Sequence, residues 1–170
     1  MKNICSLIFI ALLTSASFAA DGKSVSYKSG DETVQAILYT PAGKGPFPAI
    51  IVIHEYWGLN DWVKEQASKL ADQGYEALAI DLYRGKVATT PDMAHEIMRG
   101  VPEDRAKRDL HAAFEFLQAQ PNVKKSRMQV ALRPVFRNSA HDFMRHVGSG
   151  GDLASVQINR ESLVALIGQL

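Results

Sequence analysis

The chain has 170 residues, and its 19 lysines and arginines against 18 aspartates and glutamates give a formal net charge of +1 at pH 7. This balance argues against a nucleic-acid or anionic-membrane partner, since both require clustered positive charge. Cys5 is the only cysteine. It lies in a predicted export signal, so the mature chain is expected to have no disulfide, no thiolate metal ligand and no cysteine nucleophile. No metal or cofactor is predicted.

Residues 1–19 have the pattern of a cleaved signal peptide. Lys2 supplies the positive start, Ile4–Leu13 the apolar stretch, and Ser17-Phe18-Ala19 a small-x-small cleavage site. We expect cleavage after Ala19, with Ala20 as the alternative, and a periplasmic or secreted mature protein with no membrane partner. The apolar stretch is too short to span a bilayer. The competing interpretation is a retained membrane anchor.

The first half of the mature chain predicts a hairpin, a buried strand and a helix. Ser24–Ser29 and Thr33–Thr40 alternate around a Gly-Asp turn, which is typical of a β-hairpin. Ala49–Ile53 is continuously apolar, as in a strand buried on both faces of a parallel sheet. Asn60 is placed to cap a helix that ends at Gly74.

The second half continues the alternation of strands and helices. Glu76–Ile80 predicts a strand, Pro91–Arg99 a short helix, Pro102–Gln120 a long amphipathic helix and Arg127–Leu132 another strand. This order predicts an α/β protein, with a mostly parallel sheet, flanking helices and an N-terminal β-hairpin.

The composition changes near residue 131. Every lysine lies at or before Lys125, whereas residues 131–170 contain four arginines and a weaker hydrophobic pattern. We therefore interpret residues 20–131 as one domain and residues 132–170 as an atypical tail that is not part of the same fold. Asn159–Leu170 could form one amphipathic helix. The edge of the strand Arg127–Leu132 is expected to remain uncovered, which would make the chain marginally stable.

Polar and aromatic turns follow two of the predicted strands and the first predicted helix in a characteristic order and spacing. Together with the segment Asp109–Ala113, they resemble the dienelactone hydrolase family, a group of α/β-hydrolases. The matching turns are Ile53-His54-Glu55-Tyr56-Trp57-Gly58-Leu59-Asn60, Gln73-Gly74-Tyr75 and Asp81-Leu82-Tyr83-Arg84-Gly85. The resemblance covers residues 24–130 and implies the first half of an α/β-hydrolase fold. It also implies a small ester or lactone as the substrate, with no cofactor.

The resemblance assigns two site residues to the turn after the third strand. In the family, the glutamate of this turn lies beside the nucleophile and helps to control its ionisation, which implies that role for Glu55. The backbone N–H of Tyr56 would be one oxyanion-hole donor. The alternative for Glu55 is a helix-capping or solvated loop carboxylate. His54 is adjacent, but a histidine at a strand end is more often structural, and the family base comes from elsewhere.

Three further residues are candidates for substrate binding. Arg84 could bind a substrate carboxylate, as a family arginine in this loop does, or it could be a solvated loop residue. Trp57 and Tyr83 could line an apolar pocket, although core packing is the default for such aromatic residues. Asp81 is expected to position the loop that follows it rather than to take part in catalysis.

The nucleophile elbow implied by the resemblance is missing. A Gly-x-Cys-x-Gly turn should follow Arg127–Ala131, but Arg133-Pro134-Val135 stands there instead. With particular codons, a shift of one base across Arg133–Arg137 would encode Gly-x-Cys-Phe-Gly, so a frameshift or truncation near residue 131 is our hypothesis. The tail offers only weak substitutes for the missing nucleophile. Ser149 lies in an incomplete elbow sequence, and the pair Ser139 and His141 has no elbow sequence around it.

Two functions therefore remain open. The first is an exported hydrolase of the dienelactone type. The second is a catalytically inactive exported fragment or a binding module.

Overall fold

The computed structural model describes residues 20–132 and 154–157 of the protein. The strands are β1 Gly22–Ser29, β2 Glu32–Tyr39, β3 Phe47–Ile53, β4 Glu76–Ile80, β5 Val123–Leu132 and β6 Ala154–Gln157. The helices are α1 Asp61–Asp72, α2 Pro91–Arg99 and α3 Glu103–Gln118. The strands form one six-stranded sheet in the order β1-β2-β4-β3-β5-β6.

The sheet is mixed, with a parallel centre. β4, β3 and β5 run parallel to one another, and the hairpin β1–β2 joins them through an antiparallel pairing of β2 with β4. This arrangement confirms the predicted α/β class, the parallel strands and the N-terminal hairpin. The strand order departs from the chain order at β4, which is inserted between β2 and β3.

Each face of the sheet carries its own apolar core. Alternate residues of β3 point to opposite faces, because successive side chains of a strand alternate. Ile51 joins a core that includes Leu110 and Leu117 of α3. Ile50 joins a second core that includes Val63, Ala67 and Leu70 of α1. The continuous apolar run in β3 is therefore explained by helices covering both faces.

Local capping signals fix the helix ends. The Asn60 side chain accepts a hydrogen bond from the Val63 N–H at 3.1 Å and so caps α1, and Thr90 caps α2 in the same way through Met93. Pro102 precedes α3 without a side-chain cap. The predicted α1 and α2 are confirmed, whereas α3 is slightly shorter than the expected span 102–120.

The outer strands differ from expectation in two respects. β5 begins at Val123 rather than Arg127, because Val123 pairs with Phe47 before the register shifts to Ala49 with Met128. β6, which lies within the tail, pairs antiparallel with β5 over Gln129–Leu132. The expectation that this part of the β5 edge is uncovered is therefore wrong. The helix expected at 159–170 lies outside the described residues.

Candidate functional site

The carboxyl ends of three parallel strands meet at one edge of the sheet. Ile53, the last residue of β3, pairs with Ile80 of β4 on one side and Leu132 of β5 on the other. The loops His54–Asn60 and Asp81–Gly85 therefore leave the sheet side by side. In open α/β sheets, the crevice outside these strand ends is where ligands bind.

The turn after β3 is closed tightly at a glycine. Gly58 donates its N–H to the Glu55 carbonyl at 3.0 Å and has φ of +90°. A Cβ at this position would lie 2.5 Å from the Lys86 carbonyl oxygen. Only glycine combines this backbone conformation with so close an approach. The two loops are joined further where the Ala88 N–H donates to the Trp57 carbonyl at 2.9 Å.

His54 is buried between the two loops. Its Nδ1 lies 2.7 Å from the Glu55 carbonyl oxygen, and its Nε2 accepts the Leu82 N–H at 3.2 Å. The imidazole also packs edge-on against Tyr83, with ring centroids 4.4 Å apart. Burial lowers the pKa of His54, since desolvation disfavours the charged form. The geometry agrees with the interpretation of His54 as a structural residue.

Glu55, Tyr56 and Trp57 are all partly buried at the mouth of this turn. The Tyr56 ring packs against Trp57, with centroids 4.7 Å apart, and against His95 of α2, with centroids 5.5 Å apart. The contact with His95 is not apparent from the sequence, because α2 contacts the turn through an exposed histidine rather than through its apolar stripe. Trp57 thus lies in an aromatic cluster at the rim of the crevice.

Asp81 shapes the second loop, as predicted. Its two carboxylate oxygens accept the N–H groups of Tyr83 at 3.0 Å and Gly85 at 2.5 Å. Between them Arg84 adopts φ of 56°, an uncommon left-handed conformation for a residue with a side chain. Asp81 therefore acts by organising the backbone.

The sequence leaves Arg84 open as a residue that binds a substrate carboxylate or as a solvated loop residue. In the structure it pairs with two carboxylates of the chain itself. Its Nη2 lies 2.6 Å from Glu32 Oε2 and 2.8 Å from Asp109 Oδ2. Its Nη1 donates to the Asp81 carbonyl oxygen at 3.3 Å. The guanidinium thus ties the site loop to the start of β2 and to α3. The hydrogen bond that Arg84 donates lowers the pKa of the exposed Glu32 carboxyl.

Asp109 is the partner that reasoning from the sequence missed. Its side chain is fully buried, and among the described residues its carboxylate oxygens have the ion pair with Arg84 but no well-aligned hydrogen bond. A signal was present, because Asp109 lies three residues after Ala106 and four before Ala113, on the apolar stripe of α3. A carboxylate on a buried helical face requires a cation, and Arg84 supplies it.

The sequence makes Tyr83 a candidate for a pocket wall with core packing as the default, and in the structure Tyr83 lies mainly in the core. It is 7% exposed and belongs to the core on the α3 face. Its remaining surface borders an open cavity of about 360 Å³, which Arg84, Lys86, Ile97 and Arg105 also line. Trp57 is not part of the lining of this cavity.

The other expected site elements fall largely outside the described residues. The first described segment ends with β5 at residue 132. The described residues therefore do not include the elbow position at 133–135, nor Ser139, His141 and Ser149. Within residues 20–132 and 154–157, no three histidine, cysteine, aspartate or glutamate side chains converge as a metal site. In the same part of the chain, no helix combines the length and apolar character needed to cross a membrane.

Comparison with known proteins gives one consistent family. The model of the dienelactone hydrolase family matches residues 34–131. A putative carboxymethylenebutenolidase of Aquifex aeolicus is 36% identical over 103 residues, which are 57% of this chain and 44% of that protein. The carboxymethylenebutenolidase of Pseudomonas putida is 30% identical over 109 residues, or 58% of this chain and 46% of that one.

A solved structure gives the same result at the level of the fold. A putative dienelactone hydrolase from Klebsiella pneumoniae superposes with a TM-score of 0.58 at 26% identity, covering 65% of this chain and 48% of the other. The chain therefore spans less than half the length of these relatives.

Proposed function

Because this chain belongs to the dienelactone hydrolase family, we propose that its turn after β3 supplies one part of a site for the hydrolysis of ester or lactone bonds of small molecules, and that this chain is impaired because the family nucleophile is missing. The position of Glu55 and Tyr56 carries the proposal. Both follow β3 directly, where the ends of the parallel strands β4, β3 and β5 meet. The relatives named carboxymethylenebutenolidase support this substrate class.

Each residue of the turn has a role in this proposal. The Tyr56 N–H donates a hydrogen bond to the oxygen that becomes negative when a nucleophile attacks the carbonyl carbon. In a site with its nucleophile present, the Glu55 carboxylate lies beside that nucleophile and controls its ionisation. Trp57 and Tyr56 form the apolar rim against which the substrate rests.

A second candidate is a catalytically inactive exported fragment or a binding module. One observation favours it: the chain has no cysteine after Cys5, and Arg133-Pro134-Val135 stands where the family elbow is expected. Glu55 and the Tyr56 amide assist a nucleophile but cannot replace one, so loss of the nucleophile removes most of the rate.

An assay with p-nitrophenyl acetate separates the two candidates. We expect no hydrolysis above background by this chain, and thiol-dependent hydrolysis by the product of a gene whose frame is restored by one base near codon 131. In the restored protein, Glu55→Gln should lower kcat/KM on the order of 100-fold, whereas the exposed control Glu65→Gln should not. Activity of the unrepaired chain that Ser149→Ala abolishes would contradict this proposal.

We also propose that the chain is exported. The basis is the signal-like pattern of residues 1–19 described above. On expression in a bacterium, the mature protein should begin at Ala20 or Asp21, as measured by mass spectrometry of the periplasmic fraction. Recovery of periplasmic protein that retains Met1 would exclude cleavage.

A further inference from the structure

The two hydrogen bonds of His54 determine where its proton lies. The Glu55 carbonyl oxygen can only accept, so Nδ1 must carry hydrogen at its 2.7 Å contact. The Leu82 N–H can only donate, so Nε2 must be unprotonated at 3.2 Å. These partners select one neutral tautomer of the imidazole. Nδ1 holds the turn after β3, and Nε2 holds the loop after β4.

The carbonyl that His54 holds belongs to the same peptide unit as the proposed oxyanion donor. The Glu55 C=O and the Tyr56 N–H share one planar group, and the bond is trans, since Gly45–Pro46 is the cis bond among the described residues. In a trans peptide the C=O and N–H point in opposite directions. Whatever fixes the Glu55 oxygen therefore also aims the Tyr56 N–H.

Two donors converge on this oxygen. Gly58 donates its N–H at 3.0 Å, and His54 donates Nδ1–H from the interior of the protein. With both bonds in place, the peptide plane cannot rotate without breaking one of them. Hydrogen bonding to the carbonyl also polarises the amide, which strengthens its N–H as a donor.

We propose that His54 is a positioning residue that aims the Tyr56 N–H toward the substrate oxygen by holding the Glu55 carbonyl on the opposite side of the same peptide. The inference rests on the proposed function for the role of that N–H, but the orientation itself is a property of the folded chain. The packing of Tyr83 against the imidazole keeps the ring in the plane that this bond requires.

Two amide side chains can reproduce the two halves of the imidazole separately. An asparagine places its amide nitrogen where Nδ1 lies, and a glutamine reaches the place of Nε2. We therefore expect His54→Asn to keep the bond to Glu55 and lose the bond from Leu82. His54→Gln should keep the bond from Leu82 and lose the bond to Glu55. Each variant removes one hydrogen bond of His54. If His54 had only a structural role, the two variants would change the Tyr56 amide resonance equally.

Amide NMR of the chain distinguishes these outcomes without catalysis. In His54→Gln, the Tyr56 amide resonance should shift, and the Leu82 amide should keep its protection from hydrogen exchange. In His54→Asn, the Tyr56 resonance should stay in place, and Leu82 should exchange faster, on the order of fivefold. The same two substitutions at the half-buried His111 of α3 should change neither signal. A Tyr56 shift that is equal in both His54 variants, or absent in His54→Gln, overturns the proposal.

Two additional measurements complete the test. If a variant does not fold, the ¹⁵N shifts of His54 in the unmodified chain still test the proposal. A proton on Nε2 would contradict the assigned tautomer. Titration with phenylphosphonate, a mimic of the tetrahedral oxyanion, tests the proposed function separately. The Tyr56 amide could shift in His54→Gln and not in His54→Asn, yet not respond to phenylphosphonate. That result would support the proposed orientation of the peptide and refute its role as an oxyanion donor.

Discussion

At the scale of single residues, buried polar groups define both ends of the central strands. His54 and Asp81 lie at the carboxyl end, where hydrogen bonds satisfy them. Glu76 lies at the other end, 1% exposed, with one oxygen accepting from the Thr40 hydroxyl at 2.9 Å and no partner for the second among the described residues. Burial raises the pKa of Glu76, because its charged form loses hydration.

This shift predicts a pH-dependent effect of Glu76→Gln on stability. Because the pKa of Glu76 is higher in the folded state than its unfolded value of 4.5, the group stabilises the protein at pH values below 4.5. This contribution is lost as the pH rises through the pKa of the folded state. The variant cannot ionise and avoids this loss. Its stability relative to the original chain should therefore be higher at pH 7 than at pH 4, as measured by urea unfolding.

The matched control for that experiment is Glu65→Gln. Glu65 is exposed on α1 and pairs with Lys69 at the surface, where an ion pair contributes little. The difference between this variant and the original chain should vary little between the two pH values. An equal pH dependence for both variants would show that the burial of Glu76 is not the cause.

At the scale of elements, capping interactions decide where the helices begin. Asn60 caps α1 immediately after the turn that carries Glu55 and Tyr56. Asn60→Ala should destabilise the protein by about 1 kcal/mol, and it should also increase hydrogen exchange at Val63. Thr90→Ala removes the cap of α2 and serves as the control, since its effect should be confined to α2. An undisturbed Val63 amide in Asn60→Ala would contradict the role of the cap.

Elements were predictable from the sequence because their signals are local. The cap at Asn60, the glycine at 74 and the apolar run of β3 each act within a few residues. The pairing of Arg84 with Glu32 joins residues 52 positions apart, and no local pattern encodes such a partner. The early start of β5 was missed for the same reason, since Val123 joins the strand only by pairing with Phe47.

At the scale of the whole molecule, the sheet separates two apolar cores. Ile50 and Ile51 are neighbours in β3, yet they belong to opposite cores. Each substitution to valine should cost about 1 kcal/mol. Because the side chains face different helices, the double variant should equal the sum of the single variants to within about 0.5 kcal/mol. Guanidinium unfolding of the three variants tests this additivity, and a larger coupling would mean that strain passes through the strand.

The contacts of Arg84 also have a consequence for folding kinetics. One guanidinium links the start of β2, the site loop after β4 and the buried carboxylate of α3. These segments are distant along the chain, so the entropy of closing two loops must be overcome before the ion pairs can form. The ion pairs that offset the energetic cost of the left-handed conformation of Arg84 can therefore form only after the hairpin and α3 have docked. The wall of the crevice is therefore expected to be among the last parts to become ordered, with its native contacts absent from the folding transition state.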